Sequence, residues 1–211
     1  MSTRTRLRTY LDSRLSIQQR VDAQLCFFDW AVNTIGIGRL TELYKDDGHR
    51  LWQHHFEEGP CEVFLSKAAK TAREGELELS LVFLGNVLER LAFSVIPAPN
   101  QANARCLWIG GIQGTQDQAQ TAKALQQRLS KLRLSAVLIL VLKATAKTYG
   151  LAQLYAVGDE AHVFSPYRWT LSKRRQRRYD PIWEENGARP IDQSTWSITL
   201  TLDLRAPEDV K

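Results

Sequence analysis

The sequence predicts an α+β fold, a mixed and mostly antiparallel sheet flanked by helices behind an N-terminal helical segment. Three observations carry this. Apolar residues recur at helical spacing through Leu7, Leu11, Leu15, Ile17, Val21, Leu25 and Phe28. The period then drops to two, where Leu77, Leu79, Leu81 and Phe83 alternate with Glu76, Glu78, Ser80 and Val82. A long apolar stretch, Ala136 to Tyr149, lies between two short strand-like runs, the order of helices packed on a sheet.

Taken in order, residues 5–30 read as a helix that Gly36 and Gly38 break. Helical patterns follow at Leu40–Tyr44 and at His49–Glu57, the latter ended by Gly59-Pro60. Cys61 to Ala69 fits strand or helix equally. Leu77–Phe83 and Leu88–Ile96 flank a Gly85-Asn86 turn and make a β-hairpin, closed by Pro97 and Pro99. Arg105 to Ile109 is a third strand, stopping at Gly110-Gly111. Thr115-Gln-Asp-Gln118 has the form of a capping box, and Ser135 of a second cap, ahead of two helices. Gly150 ends the second. Leu151–Val157 reads as a strand, Tyr179–Asn186 as a short helix, and Trp196–Leu204 as a last strand. This organisation is one domain over residues 1–211, with a helical segment at 1–58 and the sheet core at 61–205.

Composition narrows the class. The chain of 211 residues is 44% hydrophobic and 24% charged, enough for a real core, and its net charge of +5 is only mildly basic. That permits an acidic partner without the dense basic clustering of most nucleic-acid binders. Three cysteines, Cys26, Cys61 and Cys106, lie far apart with no CxxC pair, so neither a zinc site nor a disulfide framework is expected. No run reaches membrane-spanning length, and a cytoplasmic protein is the expectation.

Four motifs concentrate the remaining signal: Arg73-Glu-Gly-Glu-Leu-Glu-Leu-Ser-Leu81, Ile109-Gly-Gly-Ile-Gln-Gly114, Ala156-Val-Gly-Asp-Glu-Ala-His-Val163 and Tyr179-Asp-Pro-Ile-Trp-Glu-Glu-Asn-Gly187. In order and spacing they resemble the signatures of the VirK/YbjX family, bacterial proteins of unassigned biochemistry, over about residues 40–200. The chain departs from that pattern at Asp159, at Ala188 and along Lys131-Leu-Arg-Leu-Ser135. The resemblance implies a role in envelope adaptation and tolerance of cationic peptides. The element order is also similar to the GNAT acyltransferase fold. That implies an N-acyltransferase moving an acyl group from a thioester donor, coenzyme A or an acyl carrier protein, onto an amine of a peptide or envelope component. No tightly bound cofactor follows from it, and the usual GNAT pyrophosphate loop is not recognisable.

The candidate site residues each carry an alternative. Gly110, Gly111, Gln113 and Gly114 would form a backbone cradle for an acyl carbonyl or phosphate; the same glycines serve a β-bulge. Glu74, Glu76 and Glu78 include a candidate base for the attacking amine; alternating glutamates also make a solvated sheet face. His55, beside His54, is a second candidate base, since imidazole is the side chain suited to proton transfer near neutral pH. His162 follows Asp159 and Glu160 and can pair with a carboxylate or hold a loop. Cys61 is the cysteine to test as a nucleophile. The run Lys173, Arg174, Arg175, Arg177 and Arg178, with Tyr167, Trp169 and Tyr179 beside it, would dock an acidic carrier, an anionic lipid surface or an acidic peptide, with RNA as a further reading. Three classes remain open: acyltransferase, non-catalytic binding protein, RNA binder.

Overall fold

In a computed structural model, residues 9–45, 48–99, 101, 103–167 and 178–201 are described. Among them, five α-helices and eight strands form one sheet with helices packed against it. The helices are α1 (Ile17–Thr34), α2 (Ile37–Lys45), α3 (Ala119–Arg128), α4 (Leu134–Thr148) and α5 (Asp180–Glu185). The strands are β1 (His49–Phe56), β2 (Gly59–Lys67), β3 (Leu77–Phe83), β4 (Asn86–Pro97), β5 (Arg105–Gly114), β6 (Leu154–Val157), β7 (Arg189–Asp192) and β8 (Thr195–Ile198). They lie in the order β1-β2-β3-β4-β5-β6-β8-β7, antiparallel throughout except for the pair β5–β6.

The first helix starts later than its leucines suggest. Ser16 caps α1, its Oγ accepting from the Gln19 amide (3.2 Å) while Gln19 Oε1 accepts from the Ser16 amide (2.8 Å). Leu11, spaced as if helical, has φ of 61° and is wholly buried, so it belongs to an irregular strap ahead of the helix. α1 then packs on β4, and its Phe27, Trp30 and Ala31 join the main core.

The period-two leucines of β3 form the core as expected. Leu77, Leu79, Leu81 and Phe83 are all buried, opposite Leu65, Val63 and Cys61 of β2 and Phe93 and Leu91 of β4. α4 covers β3 and β4 with Leu134, Leu138 and Leu142.

Four expectations are corrected. His49–Glu57 is not a helix but the edge strand β1, so the helical segment ends at Lys45. Trp52 and Phe56 fit a four-residue repeat and a two-residue one equally; in the strand, Trp52, His54 and Phe56 stack along one face. Gly110-Gly111 does not stop β5, which runs on to Gly114 through a bulge: Phe93 faces Ile109 and Ala92 faces Gly111, leaving Gly110 as the extra residue. Thr115 makes no side-chain cap; a short 3-10 turn, Gln116–Gln118, precedes α3. Ser135 sits inside α4, whose N-cap is Arg133. The strand β7, exposed Pro-containing edge backbone, has no apolar alternation to announce it. No helix among the described residues is long and apolar enough to cross a membrane.

Candidate functional site

Three of the four motifs meet at one carboxylate. Between β2 and β3 the chain crosses back over the sheet, and the crossing is so close that only glycine fits beneath and within it. A Cβ on Gly75 would lie 2.5 Å from the backbone of Phe93, and one on Gly110 would collide with the carbonyl of Glu74. On Gly111 it would sit 2.7 Å from the Glu74 carboxyl carbon. The bulge turns both β5 glycines toward the crossing segment, and their missing side chains leave the volume that Glu74 fills.

Glu74 is fully buried. Burying a carboxylate requires partners for its oxygens, and the other motifs supply them. Gln113 Nε2 lies 2.8 Å from each oxygen, and His162 Nε2 lies 2.8 Å from Oε1. The Phe164 amide donates over 3.4 Å to His162 Nδ1, which assigns the ring proton to Nε2, pointing at Glu74. Tyr179 stacks on the imidazole at 4.6 Å between centroids, and Trp183 stacks on Tyr179 at 6.1 Å.

The third and fourth motifs hold this stack in place. Asp159 Oδ1 accepts from the Tyr179 amide at 2.6 Å, and Asp180 Oδ1 accepts from the Asp159 amide and from Trp196 Nε1. Trp183 Nε1 donates to the Val157 carbonyl at 2.8 Å. The N-terminal strap closes the other side. The Leu11 amide donates to the Arg73 carbonyl, the Ser13 amide to Ala161, and Thr9 Oγ1 to Val163, while Arg73 lies over the Phe164 ring and bonds Thr9.

The other glutamates of the first motif have different surroundings. Glu78 is buried and accepts from Thr71 (2.6 Å), Ser80 (3.3 Å) and Arg90 Nε (3.2 Å). Glu76 accepts from Gln24 of α1 at 3.2 Å and Tyr44 of α2 at 3.4 Å. Its carboxyl pKa is raised because burial outweighs the hydrogen bonds of Tyr10, Gln24 and Tyr44 and the charge of Lys67.

His54 and His55 are exposed on β1, with β2, β3 and β4 between them and β5. At about 4.8 Å per strand that is roughly 19 Å, so His55 and Glu74 are not brought together. Cys61 is buried, and burial aided by Glu62 pushes its thiol up to about 11, leaving little thiolate at neutral pH. The basic residues Lys173, Arg174, Arg175 and Arg177 lie outside the described residues; Arg178 is exposed, 3.7 Å from Asp159 Oδ2. Among the described residues no three metal-ligating side chains cluster.

His162 was visible in the sequence as a carboxylate partner, but the partner is Glu74, 88 positions away, not the adjacent acids. Tyr179, the stacking ring, stood out in the sequence as an aromatic beside the basic run and the start of the fourth motif, with nothing to place it on His162.

The β5–β6 pair completes the geometry. These parallel strands pair only over Leu107–Ile109 and Leu154–Ala156. β6 then turns away at Gly158, whose amide bonds Ser194, while β5 continues. Among the described residues, Gly110–Gly114 therefore has no strand on that edge. Gly110 to Ile112 are buried, Gln113 is half-buried and Gly114 is exposed, so the edge is reached from its Gly114 end.

No curated protein and no solved structure matches the chain. One family model does, over residues 2–211, and the chain accordingly belongs to the DUF535 family, described as a protein of unknown function.

Proposed function

We propose that this chain is a GNAT-like N-acyltransferase. The observation that carries the reading is the parting of β5 and β6. In open sheets, ligands collect beyond the carboxyl ends of parallel strands where the sheet divides. Here the single parallel pair sits in the middle of an antiparallel sheet, and the open edge beyond it, Gly110–Gly114, borders the Glu74–His162 pair. A thioester donor would lie along that edge from the Gly114 end, its carbonyl facing main-chain donors.

His162, with Glu74 fixing its tautomer, then serves as the base through Nδ1, once the acceptor amine displaces the long Phe164 amide bond from that nitrogen. The acceptor amine attacks the thioester carbonyl, the C–N bond forms and the C–S bond breaks. The amine proton passes to His162 Nδ1 and on to the leaving thiolate, giving amide and thiol. Glu74 is a positioning residue in this scheme. Glu76 and His55 are the alternative bases, and Lys173–Arg178 would dock an acidic carrier protein or peptide.

A second reading has its own support. Glu74 is wholly buried and His162 is closed in by Tyr179 and Phe164, which suits a polar clasp in a non-catalytic binding protein of envelope physiology. The experiment separating the two is mass spectrometry of amine acceptors incubated with acyl-coenzyme A and acyl-carrier donors. Transfer lost in His162→Ala, with Glu76→Gln and His55→Ala active, supports His162 as base. No product across a broad panel of donors and amines favours the binding protein. Full activity of a folded His162→Ala would return the role to Glu76 or His55.

A further inference from the structure

Two hydroxyls that the sequence marks as helix caps do not cap, and both residues line the same cleft. Thr115 Oγ1 and Ser135 Oγ are buried without a hydrogen-bond partner, and Ser135 as a whole is 1% exposed. Buried polar atoms are nearly always paired, so two orphans on residues lining one space call for a missing partner. The cleft, about 560 Å³, is lined by Thr115, Ala119, Lys131, Arg133 and Ser135 among others.

Leu134 is the first residue of α4, whose N-terminus opens here with no side-chain cap and no acidic residue in its first turn. Ala119, at the start of α3, also lines the cleft, but the 3-10 turn Gln116–Gln118 with Asp117 runs directly into that helix. The amides of Ala136 and Val137 both bond the Arg133 carbonyl; those of Leu134 and Ser135 have no backbone acceptor among the described residues. Lys131 is exposed at the rim, in a left-handed conformation with φ of 67°, and Arg133 is held by Glu185 at 2.8 Å. Glu89 is the one carboxylate in the lining, and it is buried and already partnered.

Two unpartnered hydroxyls, two amides without a backbone acceptor at the α4 N-terminus, and a lysine make a site for a compact oxyanion. We propose that this cleft binds the phosphate group of a small-molecule ligand. A carboxylate offers two oxygens, whereas a phosphate offers three to the two hydroxyls, the α4 amides and Lys131. The site adjoins Gly114 but rests on its own donors, and it stands whether or not the chain transfers acyl groups.

Calorimetric titration of the full chain with inorganic phosphate and with pyrophosphate tests it. The expected result is saturable binding that weakens at least about tenfold in Ser135→Ala and in Lys131→Gln, weakens with salt, and is unchanged in Lys70→Gln, an equal charge change at an exposed position elsewhere. Without ligand, Ser135→Ala should melt at the same or a higher temperature, because it deletes an unpaired buried hydroxyl; Thr115→Val is the second variant should it misfold. No saturable binding of either anion up to about 10 mM, or binding that Ser135→Ala and Thr115→Val leave intact, overturns the proposal. Binding only to phosphatidylcholine vesicles doped with phosphatidic acid, and not to the soluble anions, also overturns it by moving the surface to lipid.

Discussion

Glu74 and Glu76 stand two residues apart in one motif, and the structure treats them as different groups. Glu74 is sealed beneath the crossing segment, with an imidazole and an amide on its oxygens. Glu76 is half-buried where α1 and α2 reach the sheet, among two tyrosines and a glutamine, and desolvation raises its pKa. The hydrogen bonds at Glu76 come from neutral side chains and do not offset burial. The lesson is that period-two spacing gives a face, while the role of each carboxylate is set by what crosses that face. Glu74 is tied to the interlocking of the motifs, Glu76 to the docking of the N-terminal helices.

The largest effect should therefore come from Glu74→Ala. It would leave the half-buried Gln113 amide and the buried His162 N–H without their acceptor, and each such unpaired donor costs about 1–3 kcal/mol. Urea denaturation measures it. A loss below about 1 kcal/mol would mean that water reaches the pocket and that the comparison with Glu76 fails.

The two β5 glycines sharpen the same point. Gly110→Ala drives a methyl into the Glu74 carbonyl, which is backbone and cannot move without shifting the crossing; Gly111→Ala meets the carboxyl, which can rotate at the expense of its hydrogen bonds. Overpacking costs about 1–3 kcal/mol, and Gly110→Ala should fall at or above the top of that range, Gly111→Ala lower. The reverse order in melting or urea midpoints would show that the side chain, not the backbone crossing, is the rigid element.

Much of this sheet was legible in local pattern. The β3–β4 hairpin announced itself through alternation and a Gly-Asn turn, and α4 through its apolar length, because both signals are short-range. The site was legible only as a set of motifs. Glycines at 75, 110 and 111 mark close approach, but nothing in the sequence says that the approaching chain is Glu74 itself. His162 follows Asp159 and Glu160 in sequence and was open to pairing with a carboxylate or to a loop role; the fold brings it Glu74, 88 positions away. His49–Phe56 failed for another reason: Trp52 and Phe56 satisfy both periods, and only pairing with β2 decides between them. Thr115 and Ser135 have the composition of caps, yet neither caps a helix and both hydroxyls are buried without a partner.

The smallest expected effect, and the most diagnostic, belongs to Glu76→Gln. Its raised pKa means that between the ordinary carboxylate value and the folded one the native state holds a proton that the unfolded state has released. The native state then binds more protons, so this group's contribution to stability falls as pH rises through that window and is flat above it. Of the groups facing it, Gln24 has no ionisable group, and Tyr10 and Tyr44 are both pushed up, chiefly by burial and further by Glu76. Gln keeps one acceptor oxygen for the tyrosines and carries no charge, so the variant should stay within about 1 kcal/mol of the parent at neutral pH. Relative to the parent it should gain stability as pH climbs from acid through the window. Urea midpoints of both proteins measured across that range give the difference directly. A difference that does not change with pH would mean that Glu76 ionises alike in both states, and the contrast with Glu74 would then rest on partners alone and not on solvation.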